Sequence, residues 1–418
     1  MKHSLYAGAA TFALMAGAAY ADKVTVFGPW LGPDQENVEK VLDGFAAATG
    51  HEYSYVGSDS FEQDIVISAE AGSAPNLAAF PQPGLAADMA KKGLLTPLAE
   101  GTGDWVKDNF AAGQSWVDLG TYADKDGNDQ LYGFFYRVDL KSLVWFVPEA
   151  FEEAGYEIPT TMEDLKALTQ QIVDDGGTPW CIGLGSGAAT GWPATDWVED
   201  LLLRTQPADV YDGWVTNEIP FTDERLVGAI EAFGHFARND AYVNGGASAV
   251  ATTDFRDSPA GLFSYPPECY MHRQASFIPT FFPEGADADF FYFPSYEEGD
   301  LGNPVLGAGT LWAITDDAPA AHVFMEFLQT PIAHELWMAQ SGFLTPHSGV
   351  NLDVFPSDAQ RAMNEILLGA TTFRFDGSDL MPGEIGAGAV WTGMVDYTSG
   401  ADAADVAQAI QDRWDSMQ

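Results

Sequence analysis

Basic residues are scarce in this chain. Its 418 residues include 18 lysines and arginines against 61 aspartates and glutamates, which gives a formal net charge of −43. Such a surface repels nucleic acids and anionic membranes, so neither is expected as a partner. The acidic excess is typical of a highly soluble protein. Because cations are so few, one that lies among aromatic residues needs a specific reason, and Arg374, between Phe373 and Phe375, is such a residue.

Cysteine is almost absent. With seven scattered histidines, Cys181 and Cys269 provide no spacing of metal ligands, so no metal ion or other cofactor is expected. The turn at residues 124–129 carries several carboxylates and amides, but it lacks the glutamate that closes an EF-hand loop, so a surface turn is favoured over a calcium site. In an oxidising compartment an isolated cysteine pair is more often bonded than free, which predicts a disulfide between Cys181 and Cys269.

Long hydrophobic runs are missing beyond the N-terminus. No later segment approaches the roughly 18 apolar residues of a membrane span. Residues 1–21 combine a basic start, an apolar stretch and small residues at Ala19 and Ala21, which is typical of a secretory signal peptide cleaved after Ala21. No cysteine follows that site to carry a lipid anchor. The mature protein is expected to be soluble in the periplasm.

Catalytic signatures are lacking as well. The chain contains no GxSxG, HExxH or phosphate-binding GxxxxGK[ST] pattern, and no catalytic residues are assigned. A glycosidase needs two carboxylates a few ångströms apart, but among 61 acidic residues candidate pairs carry no information. We therefore expect a binding protein rather than an enzyme, with a secreted glycoside hydrolase as the alternative of another class.

The most informative stretch is residues 74–98, APNLAAFPQPGLAADMAKKGLLTPL. An apolar run predicts a buried strand, Pro81 and Pro83 hold Gln82 in a stiff turn, and a short helix follows. Two similar strand–loop–helix units precede it. Together they predict an α/β fold whose loops at residues 28–31, 57–60 and 81–84 meet at one sheet edge, where open α/β sheets bind ligands.

This stretch, with the order of later segments from about residue 23 to the C-terminus, resembles the large solute-binding proteins of bacterial carbohydrate ABC transporters, and among them the α-glucoside-binding proteins. The resemblance implies the two-lobed type II periplasmic-binding-protein fold, each lobe a mostly parallel sheet flanked by helices around a hinged cleft. We expect one lobe from residues 22–136 and 305–347, and the other from residues 137–304 and 348–418.

The resemblance also implies a function. We expect a monomer that closes on a sugar, and the resemblance implies an α-glucoside disaccharide or small oligosaccharide of the trehalose, maltose or sucrose type. The closed form would deliver that sugar to the permease subunits of an ABC transporter. The alternative ligand is another glycoside, either anionic or linked to a polyol.

Sugar binding needs aromatic faces for the C–H surfaces of the ring and polar side chains for its hydroxyls. The predicted loops and crossings between the lobes supply both kinds. The candidate ligand-binding residues are Trp30, Asp59, Gln82, Arg137, Trp192, Asp196, Glu268, Tyr270, Gly309, Arg374 and Asp376. Among these, Trp30, Gln82, Trp192 and Arg374 are the preferred contacts. Trp312 lies inside an apolar strand and is expected to be plain core.

Overall fold

Strands and helices alternate along much of the chain. The computed structural model describes residues 23–417 except 111–112, 299–300, 341 and 370–371, so the predicted signal peptide lies outside the described residues. The strands are β1 (Lys23–Gly28), β2 (Glu52–Gly57), β3 (Leu77–Phe80), β4 (Thr121–Ala123), β5 (Asp129–Leu131), β6 (Gly133–Leu140), β7 (Leu143–Phe146), β8 (His272–Arg273), β9 (Asp289–Tyr292), β10 (Pro304–Ile314) and β11 (Thr372–Phe375).

The helices vary from a single turn to seventeen residues. They are α1 (Pro33–Thr49), α2 (Phe61–Glu70), α3 (Pro83–Lys91), α4 (Thr102–Asn109), α5 (Gly113–Leu119), α6 (Pro148–Ala154), α7 (Met162–Asp174), α8 (Trp192–Thr205), α9 (Ala208–Val215), α10 (Glu224–Ala237), α11 (Pro319–Leu328), α12 (Pro331–Met338), α13 (Asp358–Gly369), α14 (Gly377–Leu380), α15 (Trp391–Thr398) and α16 (Ala403–Asp415). A π-helical segment, Glu384–Val390, leads into α15.

The first sheet is built from the predicted strand–helix units. β1 pairs in parallel with β2 on one side and with β3 on the other. Helix α1 packs against the first hydrophobic core through Val38, Val41, Leu42 and Phe45, which recur at helical spacing and are fully buried. The predicted turn at residues 124–129 connects β4 and β5, which pair antiparallel in a hairpin.

Strand β10 extends this sheet and opens a gap along one of its edges. It pairs antiparallel with β6 on one side. On the other side β11 pairs with residues 304–307 and β3 pairs with residues 311–314, which leaves residues 308–310 between the two strands. Because β11 runs parallel to β10 and β3 runs antiparallel to it, the carboxyl ends of both strands point at this gap.

A second sheet has the order β8–β7–β9, and both of its pairings are antiparallel. The prediction of a mostly parallel sheet in the second lobe is therefore wrong. The apolar run around Trp180 forms isolated parallel bridges to Val243 and Met271. An apolar run predicts a buried strand, but the direction of its partner depends on distant segments.

Two large clusters of buried hydrophobic side chains lie in the described residues, one around the first sheet and one around helices α7, α8, α10 and α16. Trp312 is fully buried in the first cluster, as predicted. The clusters fit two lobes, and the lobe boundaries given above stay a prediction.

The two cysteines are bonded to each other. Cys181 and Cys269 lie with their Cα atoms 5.6 Å apart and form a disulfide, which confirms the predicted pair. Their sequence separation of 88 residues means that the bond closes a long loop of the chain. Across the described residues, the helices are all too short or too polar to cross a membrane.

Candidate functional site

A cavity of about 900 Å³ of atom-free space, its open mouth included, lies at the gap beside β10. One wall consists of the loops that follow β1, β2 and β3, as the sequence predicts. The other wall consists of residues 186–192, residues 255–256 and helix α14, and the floor contains residues 308–310. Further lining side chains are Asp34, Glu62, Arg137, Asp139, Lys141, Phe277, Phe281, Asp376 and Trp391.

Seven of the predicted ligand-binding residues line this cavity. They are Trp30, Asp59, Gln82, Arg137, Trp192, Gly309 and Asp376. They come from segments far apart in the chain, and their convergence follows from the strand ends that meet at the gap. Their contact with a ligand stays a prediction.

Trp30 forms part of the aromatic wall. It is 6% exposed, and its ring lies 5.9 Å from the ring of Trp312 and 5.0 Å from that of Trp337. These core rings hold the Trp30 ring in one position. A rigid aromatic surface is suited to packing against the C–H face of a sugar.

Trp192 forms the facing aromatic surface. Helix α8 begins at this residue, with Pro193 in its first turn. The residue before it, Gly191, has a φ of 118°, and a Cβ there would lie 2.3 Å from the carbonyl oxygen of Trp391. Glycine therefore permits both the turn and the close approach. The Trp192 ring is half-buried and lies 5.0 Å from the ring of Phe255.

Arg137 holds two carboxylates in the cavity wall. Its Nε donates to Asp139 Oδ1 at 3.1 Å and its Nη1 to Asp34 Oδ1 at 3.4 Å. Arg137 is 2% exposed, and its guanidinium lies 5.1 Å from the ring centre of Trp337. Burial raises the pKa of Asp34, although the charge of Arg137 opposes the shift. Charges so buried are stable only when they are paired.

Lys141 holds a second pair of carboxylates. Its Nζ donates to Asp196 Oδ1 at 2.7 Å and to Asp376 Oδ2 at 2.5 Å. Burial alone would lower the pKa of Lys141, but these carboxylates raise it well above its usual value. Burial raises the pKa of Asp196 to about 7 against the opposing effect of Lys141. Asp196 is fully buried outside the cavity lining, so we correct its assignment from a ligand contact to a residue that positions Lys141.

Three other candidates lie away from the cavity, and their assignment is corrected. Glu268 is an exposed residue next to the disulfide, and its carboxylate accepts from Asn244 Nδ2 at 3.4 Å. The ring of Tyr270 packs 5.2 Å from that of Tyr156 in the second cluster. The guanidinium of Arg374 binds both carboxylate oxygens of Asp212, with Nε to Oδ1 at 2.6 Å and Nη2 to Oδ2 at 2.9 Å. The partners of these residues are distant in sequence, so local pattern did not reveal them.

The lining residues that sequence reasoning missed include Asp34, Glu62, Arg256, Asp379 and Trp391. One of them had a usable signal. Arg256 is a rare cation beside an aromatic residue, Phe255, which is the same criterion that selected Arg374. Its guanidinium lies 4.4 Å from the Phe255 ring centre. A rare cation beside an aromatic residue is thus a useful signal, but it does not distinguish Arg256, which lines the cavity, from Arg374, which does not.

A family model described as bacterial extracellular solute-binding protein matches residues 32–335. The chain belongs to this family. The family consists of solute-binding proteins, not enzymes, so the glycoside hydrolase alternative is set aside. We therefore interpret the carboxylates of the cavity as binding groups and not as the catalytic pair of a hydrolase.

Two relatives of this solute-binding protein align over nearly all of its length. It is 59% identical to the alpha-glucosides-binding periplasmic protein AglE of Rhizobium meliloti (strain 1021), over 100% of both chains. It is 43% identical to the osmoprotective compounds-binding protein GgtB of Synechocystis sp. (strain ATCC 27184 / PCC 6803 / Kazusa), over 94% of this chain and 92% of the relative.

Solved structures show the same fold at low sequence identity. The bacterial solute receptor AcbH superposes with a TM-score of 0.81 at 17% identity, over 95% of this chain and 99% of that one. The maltose-bound T. maritima MalE3 superposes with a TM-score of 0.74 at 15% identity, over 95% and 100% of the two chains. The predicted two-lobed α/β fold of type II is thereby confirmed.

Proposed function

We propose that this solute-binding protein binds a neutral α-glucoside, a disaccharide or small oligosaccharide of the trehalose, maltose or sucrose type, in the cavity beside β10. The observation that carries the proposal is its 59% identity, over its full length, to a protein named for binding α-glucosides. At that identity the polar and aromatic lining of a ligand site is expected to be largely retained.

The chemistry of the cavity supports a sugar. Trp30 and Trp192 present aromatic surfaces, and Phe277 and Phe281 add apolar area. Carboxylate, amide and guanidinium groups in the same lining are suited to the donors and acceptors of sugar hydroxyls. This mixture of aromatic faces and polar groups favours a polyhydroxylated ring over a purely apolar ligand.

The charges of the cavity favour a neutral ligand over an anionic one. Six carboxyl groups line it, those of Asp34, Asp59, Glu62, Asp139, Asp376 and Asp379, against the three cations Arg137, Lys141 and Arg256. An anionic glycoside would enter an acidic cavity of an acidic protein. A neutral glycoside of a polyol meets no such repulsion and is the second candidate, which the likeness to GgtB favours.

Delivery of the sugar completes the proposal. A ligand that contacts both walls favours the closed arrangement in proportion to its higher affinity for that state. The closed protein, a monomer exported to the periplasm by its signal peptide, would then dock on the permease of an ABC transporter. The crossing strands β6 and β10, which pair along their length, are suited to connect the two lobes.

Titration calorimetry on the purified protein tests the ligand. The panel contains trehalose, maltose, sucrose, α-glucosylglycerol, lactose as a β-linked control, and an α-glucuronide. We expect saturable binding of at least one neutral α-glucoside, weaker binding of lactose and none of the glucuronide. Preference for lactose or for the glucuronide, or binding of no α-glucoside, would contradict the proposal.

A further inference from the structure

Two residues of the cavity lining each carry a buried polar atom that has no hydrogen-bond partner among the described residues: Gln82 Oε1 and Trp391 Nε1. Both residues line the cavity, and they are 6% and 3% exposed. Most buried polar atoms in proteins are hydrogen-bonded, because leaving one unpaired has a substantial cost. One of these atoms is an acceptor and the other is a donor, so together they are complementary to a hydroxyl group.

Backbone contacts connect the segments that carry these two residues. Gln82 precedes α3, and α3 packs against the residues after α14: a Cβ on Gly84 would lie 1.8 Å from the carbonyl oxygen of Met381. Next to this contact, the backbone N–H of Gly383 donates to Asp88 Oδ2 at 2.9 Å. The loop after β3 is therefore fixed directly against the segment that leads to Trp391.

Trp391 is itself held from two directions. It begins α15 immediately after the π-helical segment Glu384–Val390, a type of helix that is frequent at functional sites. Its carbonyl oxygen lies against Gly191, the residue before Trp192. The backbone that carries the Trp391 indole is thus packed against the start of α8, beside the aromatic surface of Trp192.

Position in the cavity separates Trp391 from other tryptophans. Trp214, Trp312 and Trp337 also have an indole Nε1 without a partner in the described part of the chain, but they do not line this cavity. An unpaired indole alone is thus no sign of a ligand contact. Trp391, in contrast, lines the cavity, as does Gln82, whose Oε1 is an acceptor without a partner among the described residues.

We propose that Gln82 Oε1 and Trp391 Nε1 form a subsite for one glycosyl ring, in which the indole donates to a ring hydroxyl and the amide oxygen accepts from that hydroxyl or its neighbour. This inference rests on the proposed function and deepens it. It makes Gln82 and Trp391 specificity-determining residues, because a ring that lacks the hydroxyl leaves both buried atoms unpaired. Sites built to bind a hydroxyl reject analogues that lack it.

The test uses Trp391→Phe, which keeps an aromatic ring and removes the donor, and Gln82→Met, which keeps the length and removes the acceptor. Trp214→Phe is the matched control, because it removes an unpaired indole donor outside the cavity. Affinity is measured by calorimetry for the α-glucoside that wild type binds most tightly and for its monodeoxy analogues. Melting temperature is measured without ligand.

Each site variant is expected to weaken the parent glucoside about tenfold, the size of one neutral hydrogen bond, while Trp214→Phe binds like wild type. The unliganded site variants should melt within a few degrees of wild type, because no protein hydrogen bond is lost. The monodeoxy analogue that lacks the hydroxyl bound by this subsite should bind wild type more weakly than the parent glucoside does. Its affinity should fall little further in Trp391→Phe, because the hydrogen bond is already missing.

Two results would overturn the subsite and leave the proposed function standing. One is wild-type affinity for the parent glucoside in both site variants. The other is that each substitution weakens every deoxy analogue by the same factor as it weakens the parent glucoside. If Trp391→Phe does not fold, Gln82→Met alone decides between these results. Failure of wild type to bind any α-glucoside would overturn the proposed function and the subsite together.

Discussion

Arg256 donates to Asp59 across the mouth of the cavity, with Nη2 2.6 Å from Oδ1. Asp59 follows β2 in the first sheet, and Arg256 belongs to the opposite wall, 197 residues further along the chain. Their side chains are 31% and 20% exposed. The pair therefore connects the two walls directly, beside the aromatic surfaces of the cavity.

Asp59→Asn should shift the protein toward a more open arrangement and weaken ligand binding about two- to fivefold. A partly exposed ion pair contributes at most about 1 kcal/mol, which sets this range. Calorimetry gives the affinity, and small-angle scattering without ligand gives the radius of gyration. Lys92→Gln, which breaks the exposed pair of Lys92 with Glu70, is the control. Equal affinity and equal radius in all three proteins would show that the pair does not contribute to closure.

Trp192→Ala should weaken sugar binding about ten- to a hundredfold, because loss of an aromatic surface in a buried site costs on the order of 1–3 kcal/mol. The ring is half-buried and packs at one side on Phe255, so the protein should remain folded. Calorimetry with the preferred glucoside and circular dichroism measure the two effects. Unchanged affinity would remove Trp192 from the site.

Arg374→Ala should leave sugar affinity unchanged and lower the free energy of unfolding by no more than about 1 kcal/mol. Its bond to Asp212 lies outside the cavity lining, and the Arg374 side chain is 32% exposed, so water screens the pair. Asp212→Ala is the matched variant and should behave alike. A large loss of affinity in Arg374→Ala, with wild-type stability, would restore the direct contact that the sequence favours.

His334 should make stability depend on pH. Burial lowers its pKa to about 3, and the neighbouring His347 adds to the shift. Its Nδ1 meets Thr345 Oγ1 at 2.6 Å and its Nε2 meets the carbonyl oxygen of Leu328 at 2.9 Å, which suits the neutral ring. The unfolded chain binds the proton below its ordinary pKa of about 6.5 and the folded chain does not, so stability is lost as pH falls from about 6.5 toward 3.

His334→Gln removes this titration and keeps groups that can hydrogen-bond. Between pH 6.5 and pH 4.5 the free energy of unfolding of wild type should fall by up to about 2 kcal/mol more than that of the variant. The other titrating groups are the same in both proteins, so their contribution cancels in this comparison. Urea unfolding at several pH values measures the difference in free energy. Parallel pH profiles for the two proteins would show that His334 titrates normally in the folded chain.

The disulfide should leave no reactive thiol in the denatured, unreduced protein. Replacing both Cys181 and Cys269 with serine should lower the free energy of unfolding by about 2–4 kcal/mol, because the bond constrains a long loop of the unfolded chain. Thiol titration and chemical unfolding check the two statements. Two reactive thiols per chain would contradict the disulfide. An unchanged unfolding midpoint in the serine variant would contradict its contribution to stability.

The sequence by itself determined the local elements and one wall of the site. The apolar periodicity of α1 and the short apolar run of β3 depend on neighbouring residues only, so they could be recognised directly. Parallel strands place their following loops at one sheet edge, which is why Trp30, Asp59 and Gln82 were correctly expected to lie near one another. The disulfide could be predicted because the chain has two cysteines and a predicted signal peptide that would direct it to an oxidising compartment.

Only the tertiary structure decided the opposite wall and the partners of the charges. Arg374 and Arg256 look alike in sequence, yet one binds Asp212 outside the cavity and the other reaches Asp59 across its mouth. Asp196 is fully buried, and Lys141, 55 residues earlier in the chain, donates to its Oδ1. The antiparallel pairing of the second sheet likewise depends on distant segments, because β7 pairs with β8 and β9. Such pairings join residues dozens to hundreds of positions apart, and their energy depends on burial and geometry that exist only once the chain has folded.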